Sequence, residues 1–231
     1  MNQSVQNYPG LAGSGALAEQ RNRVLRNTYW LLALSMVPTV LGAWIGVQSG
    51  FMRAMGPGMS AIIFLVGAFG LMFAVEKFKN SAAGVPLLLG FTFFMGLMLS
   101  RLLGSVLGLA NGGSLIMLAF GGTGAIFLGM ATLSSVIKRD LSNMGKFLFI
   151  GMIMLLVAMV ANIFIQSSAL MITLSVLAIG IFSAFILHDL KQVQDGVQTN
   201  YISATLGVYL SLYNVFSNLL ALLGIFGGER D

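Results

Sequence analysis

The sequence predicts an all-α polytopic membrane bundle of seven transmembrane helices. Three observations carry this. Hydrophobic residues make up 57% of the 231-residue chain against 8% charged, with a mean hydropathy of +0.91, too little polar surface to coat a soluble globule. Seven apolar windows each reach the roughly 20 residues needed to cross about 30 Å of hydrocarbon. The Lys and Arg residues between them alternate in density, as the retention of basic residues in cytoplasmic loops requires.

The spans are expected near Tyr29 to Val47, Pro57 to Val75, Ala82 to Leu103, Ser114 to Ile137, Phe147 to Ile165, Ala169 to Leu187 and Ile202 to Phe226. The fifth and sixth are the least obvious, because Phe147 to Leu187 carries no charge and is too long for one crossing. Gln166, Ser167 and Ser168 form the polar cluster near its middle, so a tight hairpin belongs there. With the amino terminus in the cytoplasm, the inner segments collect Arg21, Arg23, Arg26, Lys77, Lys79, Lys138, Arg139, Lys146 and Lys191. Only Arg53, Arg101 and Arg230 fall outside, and an odd number of spans puts the carboxyl terminus on the outer face.

Residues 1–27 are rich in Gly, Asn, Gln and Ser and read as a mobile cytoplasmic tail, with residues 28–231 forming one seven-span domain. The tail is not a cleavable signal, since its basic residues follow the polar stretch and lead straight into a full span. No internal repeat divides the rest.

Helices in lipid associate through small residues and a few polar contacts, and 29 glycines supply the first. Gly42/Gly46 and Gly104/Gly108 have the small-xxx-small spacing of helix-packing sites, and Gly121, Gly122 and Gly124 lie within the fourth span. Asn162 sits late in the fifth span. Ser211, Asn214, Ser217 and Asn218 recur at three- and four-residue steps on one face of the seventh. These polar residues either fix the bundle by hydrogen bonds to neighbouring helices or line a polar cavity closed by Asp189. Arg101 is placed to snorkel to the outer interface.

The segment AFILHDLKQVQDG, 184 to 196, holds the single histidine followed directly by an aspartate. Asp189 reads either as a hydrated acid near Lys191 or as a buried acid against Ser211 or Asn214. His188 reads either as an interfacial aromatic or as a proton carrier, histidine being the side chain whose ordinary titration falls nearest neutrality. Asp195 and Gly196 carry turn chemistry.

Several function classes find no support. There is no GxSG serine with a deep histidine, no paired intramembrane aspartates and no HExxH motif, so no catalytic residue, metal or cofactor is expected. Cysteine is absent, which excludes disulfides and thiolate metal sites. The pI of about 9.8 does not signal nucleic acid, because the basic residues are scattered in small groups between apolar runs.

The stretches LRNTYWLLALS (25 to 35), GMIMLLVAMVANIFIQ (151 to 166), ILHDLKQV and TNYISATLGVYLSLYNVFSNLLALLGIF (199 to 226), taken in order, resemble the Bax inhibitor-1 family, and most of all its bacterial YccA-like branch. The resemblance implies a bacterial inner-membrane protein with a periplasmic carboxyl terminus that modulates the membrane-anchored AAA protease FtsH. A hexameric protease of this kind pulls on an unfolded end, so the tail would be gripped while the bundle resists extraction. The alternative it implies is a pH-sensitive calcium or other cation leak. Members of that type pair an aspartate ending the sixth span with another in the seventh. Asp189 matches the first position, but the second falls at Ser211, so the two-acid switch lacks its partner here.

Overall fold

The structure, a computed structural model, describes residues 9–50 and 55–228. Seven helices occupy nearly all of this range: α1 Pro9–Ser49, α2 Pro57–Phe78, α3 Gly84–Leu107, α4 Gly112–Val136, α5 Met144–Ile165, α6 Ser168–Gln194 and α7 Tyr201–Gly228. All seven are long and apolar enough to cross a membrane. The expected spans therefore all appear, with the hairpin where the polar cluster put it. α5 ends as Gln166 turns left-handed (φ 52°), and the Ser167 hydroxyl then accepts from the Leu170 N–H to cap α6.

The amino-terminal segment departs from expectation. Residues 9–27, assigned from composition to a mobile tail, are the first turns of the 41-residue α1; residues 1–8 lie outside the described residues. The run ALAEQRNRVLRN is built from good helix formers, Glu19 and Arg23 pair at 3.3 Å four residues apart, and Val24 is buried against Val193 and Ala204. At 1.5 Å per residue α1 is about 60 Å long, twice the hydrocarbon thickness, so it extends well beyond the bilayer.

α7 is the hub, packed against α1, α2, α3, α4 and α6. Its Ile202, Leu206, Val208, Tyr209 and Val215 meet Leu31 and Leu32 of α1, Leu88, Phe91 and Met95 of α3, and Ile186 and Leu190 of α6 in the main core. This explains why the most polar span is also the most central, since Thr and Tyr hydroxyls in lipid need protein partners. The Tyr209 hydroxyl donates to the Thr92 carbonyl (3.3 Å) and shares a 2.8 Å bond with the Thr39 hydroxyl, tying three helices together.

The most extensive helix pair is α1 with α3. Its closeness comes from glycine. A β-carbon on Gly42 would collide with the Phe93 carbonyl oxygen, one on Gly96 with the Thr39 carbonyl oxygen, and one on Gly46 would stand 2.5 Å from the Ser100 hydroxyl. Gly104 is also buried on α3, whereas Gly108 is its C-cap residue and meets only the carbonyls of Gly104 and Ser105. Gly121 and Gly124 have nothing within reach, and Gly122 just touches Leu219. α5 sits at the edge, packed substantially only on α6.

One end of the bundle gathers the basic segments. Arg21 of α1 contacts the α6–α7 turn, Asn200 donates to the Lys79 carbonyl and to Asn80, and Gln194 donates to Ser134 at the end of α4. This is the end that the charge distribution assigns to the cytoplasm. Of the three residues assigned to the far side, Arg101 is exposed on α3, while Arg53 and Arg230 lie outside the described residues.

Candidate functional site

α6 continues seven residues past the expected limit at Leu187, and this extension builds the site. Ile186, Leu190 and Val193, at helical steps of four and three, are fully buried and seat the last turns against α7. The residues between them, His188, Asp189 and Gln192, are turned toward a cavity of about 460 Å³ walled by the start of α5, the α6–α7 turn and the first turns of α7.

Two glycines make the room. A β-carbon on Gly207 of α7 would stand 2.8 Å from Asp189 Oδ2, and one on Gly145 of α5 would stand 2.7 Å from His188 Nε2. His188 Nδ1 lies 3.2 Å from Asp189 Oδ1, and its Nε2 lies 3.3 Å from Gln192 Nε2. With the Gln192 amide donating to Nε2, the neutral ring carries its proton on Nδ1 and donates to the carboxylate. The Asp189 side chain keeps 24% of its surface open and His188 keeps 15%, so the pair is neither sealed in the core nor freely solvated. Lys146 and Ser142 line the opposite wall, and Ser203 contributes a buried hydroxyl with no hydrogen-bond partner among the described residues.

The α4–α5 loop leading into this wall is held by Asp140. Its carboxylate accepts from both the Ser142 hydroxyl and the Ser142 N–H, and those bonds, the hydroxyl's first, hold its pKa below the usual carboxylate range.

Of the residues singled out from sequence, the structure brings together only His188 and Asp189. Ser211 is buried one turn beyond Gly207 and does not line the cavity. Asn214 donates to the Leu210 carbonyl and Asn218 to the Asn214 carbonyl, both at 2.8 Å, and Ser217 bonds the Tyr213 carbonyl, so this face of α7 satisfies itself along its own backbone. Asn162 is at the other end of the bundle. Its carbonyl accepts from the Gln166 N–H and its side chain from the Ser167 N–H, closing the α5–α6 hairpin about 30 Å from Asp189 along α6. Sequence reasoning did not single out Gly145, Gly207, Gln192 or Ser203. The only available signal was helical arithmetic: Ser203 and Gly207 sit two turns and one turn before Ser211 on the same face of α7.

Chemically, the arrangement offers a carboxylate, an imidazole, an ammonium and amide groups in a partly open recess. Among the described residues there is no group of three His, Asp or Glu able to hold a metal ion.

Comparison with known proteins decides the family. Residues 21–228 match the family described as inhibitor of apoptosis-promoting Bax1. The chain belongs to the Bax inhibitor-1 family. Within it, the chain is 38% identical over 210 residues to the modulator of FtsH protease YccA of Escherichia coli K12, covering 91% of this chain and 92% of that protein. A Pseudomonas aeruginosa protein described only as uncharacterized is 38% identical over 94% of this chain and 96% of its own length. An uncharacterized membrane protein of Vibrio cholerae is 38% identical over 91% of this chain and 92% of its own. Another E. coli relative is described as the inner membrane protein YccA, and with seven membrane-length helices this Bax inhibitor-1 family member is a multi-pass inner-membrane protein. The descriptions name an inhibitor and a modulator, not an enzyme.

Proposed function

We propose that this protein binds and inhibits the membrane-anchored AAA protease FtsH as a slowly extracted competing substrate, engaged through the segment that precedes the packed part of α1. The observation that carries the reading is the 38% identity, over nearly the full length of both chains, to a protein described as a modulator of that protease. The architecture supports it. Residues 15 and 17–20 of α1 are exposed, offering a handle beyond the membrane, while the same helix is locked further along to α3 by glycine contacts at backbone distance. A pull on the handle loads the tightest helix pair in the molecule. No catalytic group is needed for such inhibition, and none is assigned.

The test uses FtsH reconstituted in liposomes with the full chain and a degradable membrane reporter. The full chain slows reporter degradation, and deletion of residues 2–14 relieves the block. Undiminished inhibition by the truncated form moves the contact to the spans and rejects engagement through the amino-terminal segment.

A second reading, a pH-sensitive leak for calcium or another cation, draws support from the recess holding Asp189 and His188. It requires that the path continue past Gly207 toward Ser211. Liposomes bearing the parent chain then pass cations between about pH 5 and 8, with Asp189→Asn silent; absence of flux in the parent rejects it.

A further inference from the structure

Among the described residues, Arg21 is the first side chain of α1 to hydrogen-bond another element. Gly15 and Leu17 to Gln20 before it are exposed, and so are Asn22 and Arg23 directly after it. Its Nη1 donates at 3.3 Å to the carbonyl of Gln194, the last residue of α6. That carbonyl is one of the four that a helix end leaves without an internal partner, and it lies at the negative end of the helix dipole, where a guanidinium is favoured.

The turn that follows is shaped to receive Arg21. Gly196 is left-handed (φ 76°), its N–H donating to the Val193 carbonyl and the Val197 N–H to the Gln192 carbonyl, the bonding of a Schellman helix end. A β-carbon on Gly196 would stand 2.9 Å from Arg21 Cδ, so the arginine stem lies flat across the glycine. The turn is anchored from behind by the Gln194 amide, which donates to the Ser134 hydroxyl at 2.9 Å. One turn along α1, Val24 is buried against Val193 and Ala204. Between Leu17 and Gln198 a gap of about 320 Å³ stays unfilled, so the grip is concentrated at Arg21 and Val24 and not spread along the helix.

We propose that Arg21 and the Gly196 turn form a latch that sets how readily the amino-terminal end of α1 peels from the bundle, and hence how fast extraction begins. The role in extraction rests on the reading that the chain is engaged through its amino-terminal segment. With the latch closed, a pull on residues before Arg21 is shared with the α6–α7 turn and, through Gln194, with α4. With it open, the load reaches Val24 directly.

The test compares the full chain with Arg21→Ala and with Gly196→Ala, the second striking the same contact while keeping the arginine. Hydrogen exchange in nanodiscs is read for residues 15–24, and degradation by reconstituted FtsH is timed. A half-buried hydrogen bond from a charged donor gives an expected rise of about three- to tenfold in both readouts, with exchange in α3 and α7 unchanged. Equal exchange and equal degradation, with the parent engaged by the protease, overturn the latch alone. Faster exchange in a chain that FtsH does not engage overturns the proposed function and, with it, the latch as a control on extraction.

Discussion

Gly96→Ala adds one methyl group to the seam between α1 and α3, and its cost follows from where that methyl lands. It overlaps the Thr39 carbonyl oxygen and stands 3.0 Å from the Ala43 nitrogen. Both are backbone atoms, so no side chain can swing aside. An ordinary carbon–oxygen contact is about 3.3 Å or more, which forces the helices apart by about 1 Å, and a gap of that size forfeits a quarter to a half of each dispersion contact along the seam. Thr39 also carries the 2.8 Å bond to the Tyr209 hydroxyl, so the shift strains the link to α7. The expected loss is about 2–3 kcal/mol, the upper part of the range for overpacking, or about 30- to 150-fold in the folding equilibrium. The assay is reversible unfolding by denaturing detergent in mixed micelles, followed by circular dichroism. Gly90→Ala on the same helix is the control, because a β-carbon there meets nothing within 4 Å. It makes the same chemical change and exchanges glycine for a better helix former. If Gly96→Ala unfolds with the same free energy as Gly90→Ala, glycine-mediated contact is not what holds α1 to α3, and the account of resistance to pulling fails with it.

Two further outcomes are expected. Gln166→Gly removes the cost of holding a side chain at φ 52° in the hairpin and raises stability by about 0.5–1 kcal/mol in the same unfolding assay, with no gain meaning that the turn is unstrained. Ser142→Ala lets the Asp140 carboxyl titrate nearer the usual carboxylate range, part way because the Ser142 N–H remains, as read by NMR of labelled aspartate. Because the folded pKa is the depressed one, the loop's contribution is present above the unfolded carboxylate pKa and is lost as pH falls through the folded value. An unmoved titration would show that the hydroxyl bond is not the main cause.

Much of the architecture was legible because the bilayer imposes it. Length and oiliness are read directly from residues 147–187, and the Gln166 to Ser168 cluster was the only place within them where a chain could reverse with polar groups exposed. Gly42 and Gly46 were likewise visible by spacing. Gly108 has the same spacing but caps a helix, since position relative to a helix end is not written in a four-residue interval. The first turns of α1 were not legible because the Gly, Asn, Gln and Ser content of residues 1–27 masks the helix-forming run within them, and the packing partners of Val24 lie far along the chain, at Val193 and Ala204. The recess at His188 and Asp189 was half legible. A histidine and an acid beside a membrane span stand out, but the two residues that make space for them are glycines, distinguished among 29 only by what stands opposite them.

α5 touches the rest of the protein at its first turn, where Gly145 receives His188, and along one stripe where Gly151 and Leu155 meet Ile181, Leu174 and Ala178. Much of its remaining surface is exposed and apolar, with Phe147, Ile150, Met154 and Val157 turned outward, the kind of face acyl chains cover and to which one aliphatic side chain is much the same as another. Selection can therefore read little from this span beyond its girth on one side and its total greasiness. Sequence drift should accumulate fastest on the outward residues of α5, while Gly145, Gly151, Leu155 and Asn162, each with a partner on α6 or in the hairpin, stay readable beside the hub and the α1–α3 seam.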